Sequence, residues 1–191
     1  MGVNDWPLEA RYAEPMRRTA NTRKPRLRRP RPGELGWVVS RHGSLYEAEY
    51  GWDARFEGLV AGIVAEFVKN FDPARERCWI ADLGGEPVGS VFLVNAGKGT
   101  AKLRMLLVEP RARGMGIGRR LVAACLRFAR QAGYRKVALW TNSTLHAARR
   151  IYEGVGFRMV NEERDAMLGG MSQTWELAIP ASTTSKRARR N

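Results

Sequence analysis

Gly114, Gly116 and Gly118 stand at alternate positions between two arginines, Arg113 and Arg119. That spacing suits an anion. A helix N-terminus leaves backbone N–H groups unpaired and carries partial positive charge. Glycines let those groups close on a phosphate with no Cβ in the way. The same triplet also serves a tight strand-to-helix turn that needs glycine only for its backbone angles. Two nucleotide motifs fail on spacing. A Rossmann fingerprint would need glycine where Arg119 or Leu121 stands, and the next strand ends in Asn142 rather than the acid that holds a ribose. A Walker loop would need glycine at Phe92, five residues before Gly97-Lys98.

Other reactive side chains are sparse. His42 and His146 are the only histidines, far apart and without a metal-ligand companion, so both read as surface or structural residues. Cys78 falls in a strand pattern and Cys125 on a helix's apolar stripe, as small core residues. No Ser/His/Asp or Cys/His constellation can be assembled, which argues against an acyl-enzyme, and no metal site is expected. Tyr152 shares a helical stripe with Ala148 and Val155, the setting of a core aromatic with a polar tip. Tyr46, Glu49, Tyr50 and Trp52 cluster ahead of a helix, as a solvated helix–loop or as a cover over a substrate. Glu66, on the polar side of that helix, is a candidate base.

The elements around these residues follow from periodicity. Leu103 to Val108 is mostly large and apolar, a strand covered on both faces, and Pro110 ends it. Ile117, Leu121, Ala124, Cys125, Phe128 and Ala132 form one stripe of a helix closed by Gly133. Upstream, Leu35 to Ser40 reads as a first strand. Asp53 caps a helix whose apolar positions run from Phe56 to Phe71, stopped by Asp72-Pro73. Strands over 77–83, 88–95 and 100–108 alternate with glycine turns as a meander. The strand 136–141 follows a helix and should therefore run parallel to 103–108. Asn142 or Ser143 can cap a helix through Val155, before strands over 157–163 and 173–179. That makes about seven strands.

A chain of 191 residues with 44% apolar and 27% charged residues is an ordinary globular composition, large enough for one real core. No apolar run is long enough for a membrane helix and no secretory h-region follows the start, so the cytoplasm is the expected compartment. The net charge of +14 is mostly peripheral: residues 1–34 carry +5 and residues 181–191 carry +4. Residues 1–32, proline-broken and basic, are expected as a flexible arm, 33–180 as the folded domain and 181–191 as a flexible basic tail. The two tails are the candidates for a weak nucleic-acid contact.

Arg113-Gly114-Met115-Gly116-Ile117-Gly118 after Val108-Glu109-Pro110 resembles the coenzyme A pyrophosphate loop of the GNAT N-acetyltransferases. Trp140-Thr141-Asn142, Ala147 to Glu153 and Gly156-Phe157 resemble the second half of that signature. Four further segments, Gly36 to Val39, Arg41-His42-Gly43, Tyr50-Gly51-Trp52 and Gln173 to Leu177, resemble the acetyltransferase half of bacterial MarR-type winged-helix/GNAT fusion proteins. Residues 1–32 are too short for a winged helix. The resemblance implies an α/β GNAT fold, a mixed sheet with helices on both faces, and acetyl-CoA as co-substrate without a metal. It implies cofactor contacts from Leu106, Leu107 and Val108, from the loop residues Arg113, Gly114, Met115, Gly116, Ile117, Gly118 and Arg119, and from Asn142. It places Tyr152 beside the thioester sulfur as the catalytic acid. The expected activity is direct acetyl transfer to an amine of a small molecule or peptide. The alternative is an acetyl-CoA-sensing protein that contacts nucleic acid through its basic arms. The segment Arg164 to Met171 is shorter than in the fusion proteins and lacks their histidine, so a different acceptor is implied.

Overall fold

The computed structural model describes residues 24–180, which form β1 (Arg26–Arg28), α1 (Glu34–Tyr50), α2 (Ala54–Lys69), β2 (Arg77–Leu83), β3 (Glu86–Asn95) and β4 (Thr100–Val108). A single 3₁₀ turn over Pro110–Ala112 leads to α3 (Ile117–Gln131), β5 (Lys136–Asn142), α4 (His146–Gly154), β6 (Arg158–Arg164) and β7 (Met171–Ala178). One seven-stranded sheet results, in the order β1-β2-β3-β4-β5-β7-β6. Every neighbouring pair is antiparallel except β4 and β5, whose connection through α3 forces them parallel. Helices cover both faces. On one, Val38 of α1 and Phe56, Val60, Val64 and Phe67 of α2 pack with Cys78, Ile80 and Phe92. On the other, Ile117, Leu121, Val122 and Cys125 of α3 and Tyr152 of α4 pack with Ala81, Val91, Leu103 and Leu139.

Where β4 leaves β5 matters most. Their pairing runs from Thr100↔Lys136 to Leu103↔Leu139 and stops there. β5 continues against β7 as far as Asn142↔Ser172, while β4 continues against β3. β4 also bulges at this point. Phe92 faces Arg104 and Ser90 faces Leu107, so Met105 and Leu106 together oppose Val91. Met105 takes the left-handed conformation, φ 53°, unusual for a residue with a side chain. A bulge bends its strand, and here the bend opens the sheet between β4 and β5.

Three expectations are corrected. Leu35–Ser40 is not a strand but the start of α1, which Gly33 opens with φ 89° and no side-chain cap. The seventh strand comes instead from the segment expected to be a flexible arm. Arg26–Arg28 pairs with Ile80–Asp82, and Arg28 bridges Glu34 at 2.6 Å and Asp82 at 2.9 Å. The last helix starts at His146, because Asn142 Oδ1 accepts from the Thr144 N–H and folds residues 142–145 into a turn first. Asp53 does cap α2, accepting from the Arg55 N–H.

Candidate active site

The glycine loop delivers an open helix end to a cleft. Gly116 is the residue before α3, at φ 72°, and no side chain caps the helix there. Gly114 is also left-handed, at φ 78°. Around both glycines a Cβ would meet nothing within 4 Å, so the loop's backbone is approachable. Gly118 has another reason to be glycine. A Cβ there would lie 2.7 Å from Ile151 Cδ1, so it is the contact that seats α3 against α4.

The cleft in front of this turn has a volume of about 510 Å³. Leu106, Leu107 and Val108 form its strand side, and Arg113, Gly114, Gly116, Ile117, Gly118 and Arg119 form its loop side. Two expected cofactor contacts are not among the lining residues. Met115 points out, 44% exposed. Asn142 is fully buried with its amide committed elsewhere: Nδ2 donates to the Gly169 carbonyl at 2.7 Å, and Oδ1 accepts from Thr144. It holds the 165–170 loop to the start of α4.

A second cavity of about 220 Å³ opens behind the first. Tyr46, Leu106, Leu145 and Ala148 line both, so the two meet where β4 and β5 part. Tyr152 lines the smaller cavity, is almost fully buried and packs edge-on to Phe157 at 5.9 Å. Burial, reinforced by the neighbouring Tyr46 and Cys125, pushes its hydroxyl pKa well above the ordinary value. It therefore keeps its proton at neutral pH. Tyr46 lies at the junction itself, and burial raises its pKa too.

Of the two roles expected for His42, surface or structural, it takes the structural one. It is buried, lines the smaller cavity, and stacks on Tyr46 with ring centroids 5.5 Å apart. Its Nδ1 lies 2.8 Å from the Val38 carbonyl, which can only accept, so Nδ1 carries the proton and Nε2 is left bare. Desolvation lowers its pKa to about 4, so the ring is neutral. Its flanks, Val38 and Leu45 on one helical face, are the signal that could have shown it inward. Glu66, by contrast, does not line this cavity. It accepts from Asn70 at 2.7 Å beside a neighbouring groove that contains Gly58 and Gly62.

Charge at the cleft mouth is partly paired. Arg113 bridges Glu49 of α1 at 2.7 Å, drawing α1 toward the glycine loop. Arg41 holds Glu109, just past β4, at 2.6 Å. Among the described residues Arg119 has no ion pair, which leaves it available to a phosphate. Cys78 and Cys125 are free and buried. Among the described residues no cluster of His, Cys, Asp and Glu could hold a metal, and no helix is long and apolar enough to cross a membrane.

Residues 18–157 match the Acetyltransferase (GNAT) family. A zebrafish relative, the Danio rerio N-acetylaspartate synthetase, is 34% identical over 116 residues, which is 60% of this chain and 40% of that protein. The chain thus spans less than half the length of that relative. A Salmonella typhimurium protein solved with its cofactor acetyl-CoA superposes with a TM-score of 0.65 at 16% identity, over 83% of this chain and 95% of its own. The spermidine N-acetyltransferase of Vibrio cholerae, solved with CoA and spermine, gives 0.63 at 16% identity, over 82% and 96%. At these identities the two structures speak for the fold alone. Neither the likeness to winged-helix fusion proteins nor the nucleic-acid-sensing alternative gains support from these relatives. Residues 1–23 and 181–191, which hold most of the basic tails, lie outside the described residues.

Proposed function

The chain belongs to the Acetyltransferase (GNAT) family, and on that premise we propose that it moves an acetyl group from acetyl-CoA directly onto an amine. One observation carries this reading: two cavities meet at the gap between β4 and β5, one against an uncapped glycine turn and the other against a buried tyrosine. The turn and Arg119 receive the pyrophosphate. Leu106, Leu107 and Val108 offer backbone groups where β4 has lost β5, to the pantetheine and the thioester carbonyl. Acetyl-CoA supplies the activated acyl group. The neutral amine enters from the smaller cavity and forms the new C–N bond, and N–H groups of β4 stabilise the oxyanion. The C–S bond then breaks as the sulfur takes the Tyr152 proton, and the proton that the nitrogen releases to water restores the Tyr152 hydroxyl. The folded unit that does this is 33–180 extended back to include β1.

The likenesses do not fix the acceptor. One relative is named for N-acetylaspartate, an acidic product, and one neighbour was solved with spermine, a polycationic amine. The test is an acetyl-CoA turnover screen over amines, amino acids and peptides, with hydrolysis controls and mass detection of the product. Thiol release with an N-acetylated product supports the reading; thiol release by hydrolysis alone, or no binding of acetyl-CoA, overturns it.

A further inference from the structure

The smaller cavity is lined by positive charge and by no carboxylate. Along β4, Ala101 and Leu103 are buried in the α3 side of the sheet, so Lys102 and Arg104 leave it on the α1/α2 side, where both line this cavity. Both are partly buried. Neither forms an ion pair among the described residues. Desolvation lowers the pKa of each, and the charge of Arg104 lowers that of Lys102 further.

Glu66 and Glu76 share a neighbouring groove with Arg104 but pair with other groups. Glu49 holds Arg113. Glu66 takes Asn70, and Glu76 accepts from the Asp72 and Asn95 N–H groups. Asp165 caps its own loop at Met167 and Leu168, and Glu176 holds Lys136. Among the described residues no Asp or Glu lines the smaller cavity. Partly desolvated cations are unfavourable unless something completes them.

We propose that this cavity takes an acceptor that carries a carboxylate as well as its amine, the carboxylate held by Arg104 and Lys102. This rests on the acetyl transfer proposed above. Distance along β4 gives the scale. Arg104 immediately precedes the Met105–Leu106 bulge at the junction, and Lys102 stands about 7 Å further back along the regular part of the strand. An amine at the junction therefore has its carboxylate within the reach of an amino acid or a dipeptide. The 220 Å³ volume agrees, lying below the ~300–1,000 Å³ of pockets for drug-sized ligands. The same charges oppose a polyamine, and they favour the neutral, attacking form of the bound amine.

The experiment compares each common amino acid, and its dipeptide with glycine, against the corresponding C-terminal amide, with spermidine as a control that has no carboxylate. Turnover is measured with acetyl-CoA, and binding of the N-acetyl products to the CoA complex by calorimetry. The acids should exceed their amides by about 10- to 100-fold in kcat/KM, the usual worth of hydrogen bonds to a charged group. Arg104→Gln and Lys102→Gln should raise KM for the acids by a similar factor with little change in kcat, and shrink the acid-over-amide ratio toward one. Amides or spermidine used as well as the acids would overturn the proposal and leave acetyl transfer standing. So would CoA binding with no acid either acetylated or bound. Failure to bind acetyl-CoA at all would overturn the acetyl-transfer reading itself.

Discussion

Ser90 Oγ donates to the Met105 carbonyl at 2.9 Å, so a fully buried hydroxyl on β3 ties down the residue whose left-handed backbone bulges β4. The bond crosses the sheet at the point where the two cavities begin.

Removing that hydroxyl tests whether the bulge is held or merely tolerated. Ser90→Ala leaves the Met105 carbonyl without its partner and should cost about 1–3 kcal/mol. Urea unfolding measures it. The affinity for acetyl-CoA should fall as well, because Leu106 and Leu107 lose their fixed position. Unchanged stability together with unchanged affinity would mean that β4 keeps its bulge without help.

Gly118 makes a prediction about packing. A methyl at this position lands 2.7 Å from Ile151 Cδ1, and Ile151 also lines the larger cleft. Gly118→Ala should therefore cost up to ~1–3 kcal/mol by overpacking and weaken coenzyme A binding as Ile151 is displaced. Ile151→Val removes the offending Cδ1, so the double variant should recover both. Thermal melts and calorimetry read the two effects separately.

Tyr152→Phe removes one oxygen and little volume. Burial keeps the Tyr152 hydroxyl protonated through the neutral range, as a proton donor to the leaving sulfur must be. Transfer should slow by roughly 10²–10⁴-fold with acetyl-CoA affinity unchanged. Tyr46→Phe is the control, because Tyr46 lies at the junction of the cavities. If chemistry limits the rate and the Tyr152 variant turns over like the wild type, Tyr152 is a core residue only.

His42 makes stability depend on pH. Its pKa in the folded chain is about 4, below its ordinary 6.5, so on acidification the unfolded chain takes up the proton first. Stability is complete above about pH 6.5 and is lost as pH falls from there toward 4. Between pH 7 and pH 5 this one residue accounts for roughly 2 kcal/mol. Urea midpoints at both values should show His42→Phe losing less than the wild type by about that amount. Equal losses would show that His42 is as easily protonated folded as unfolded.

What the sequence disclosed depended on whether burial left a period. The 77–83, 100–108 and 136–142 strands are apolar runs between glycine turns, and their bounds came out within a residue. α1 hid because its inward face is Val38, His42, Gly43 and Leu45, half of it not hydrophobic, while Trp37-Val38-Val39 looks like a strand. β1 hid because three residues of Arg-Leu-Arg between prolines carry no period at all. In the site, the glycine loop was legible because its chemistry is local. The Met105 bulge was not, since the residue that adopts a positive φ is not a glycine, and Lys102 and Arg104 gain meaning only once α1 and α2 close over them.

An open sheet has two edges, and an unprotected edge is a template for another strand. Here one edge is β1, three residues long, with Pro25 before it and Pro30 shortly after, and with Arg26 and Arg28 in it. The other is β6, wholly exposed, interrupted by a register shift between Met159 and Asn161 and carrying Arg158, Glu162, Glu163 and Arg164. Short length, proline, a bulge and charge are the standard means of keeping edges from joining. A molecule that opens its sheet in the middle to admit a ligand guards its two margins unequally: β1 by shortness and proline, β6 only by charge and a bulge around the exposed Met159 and Val160.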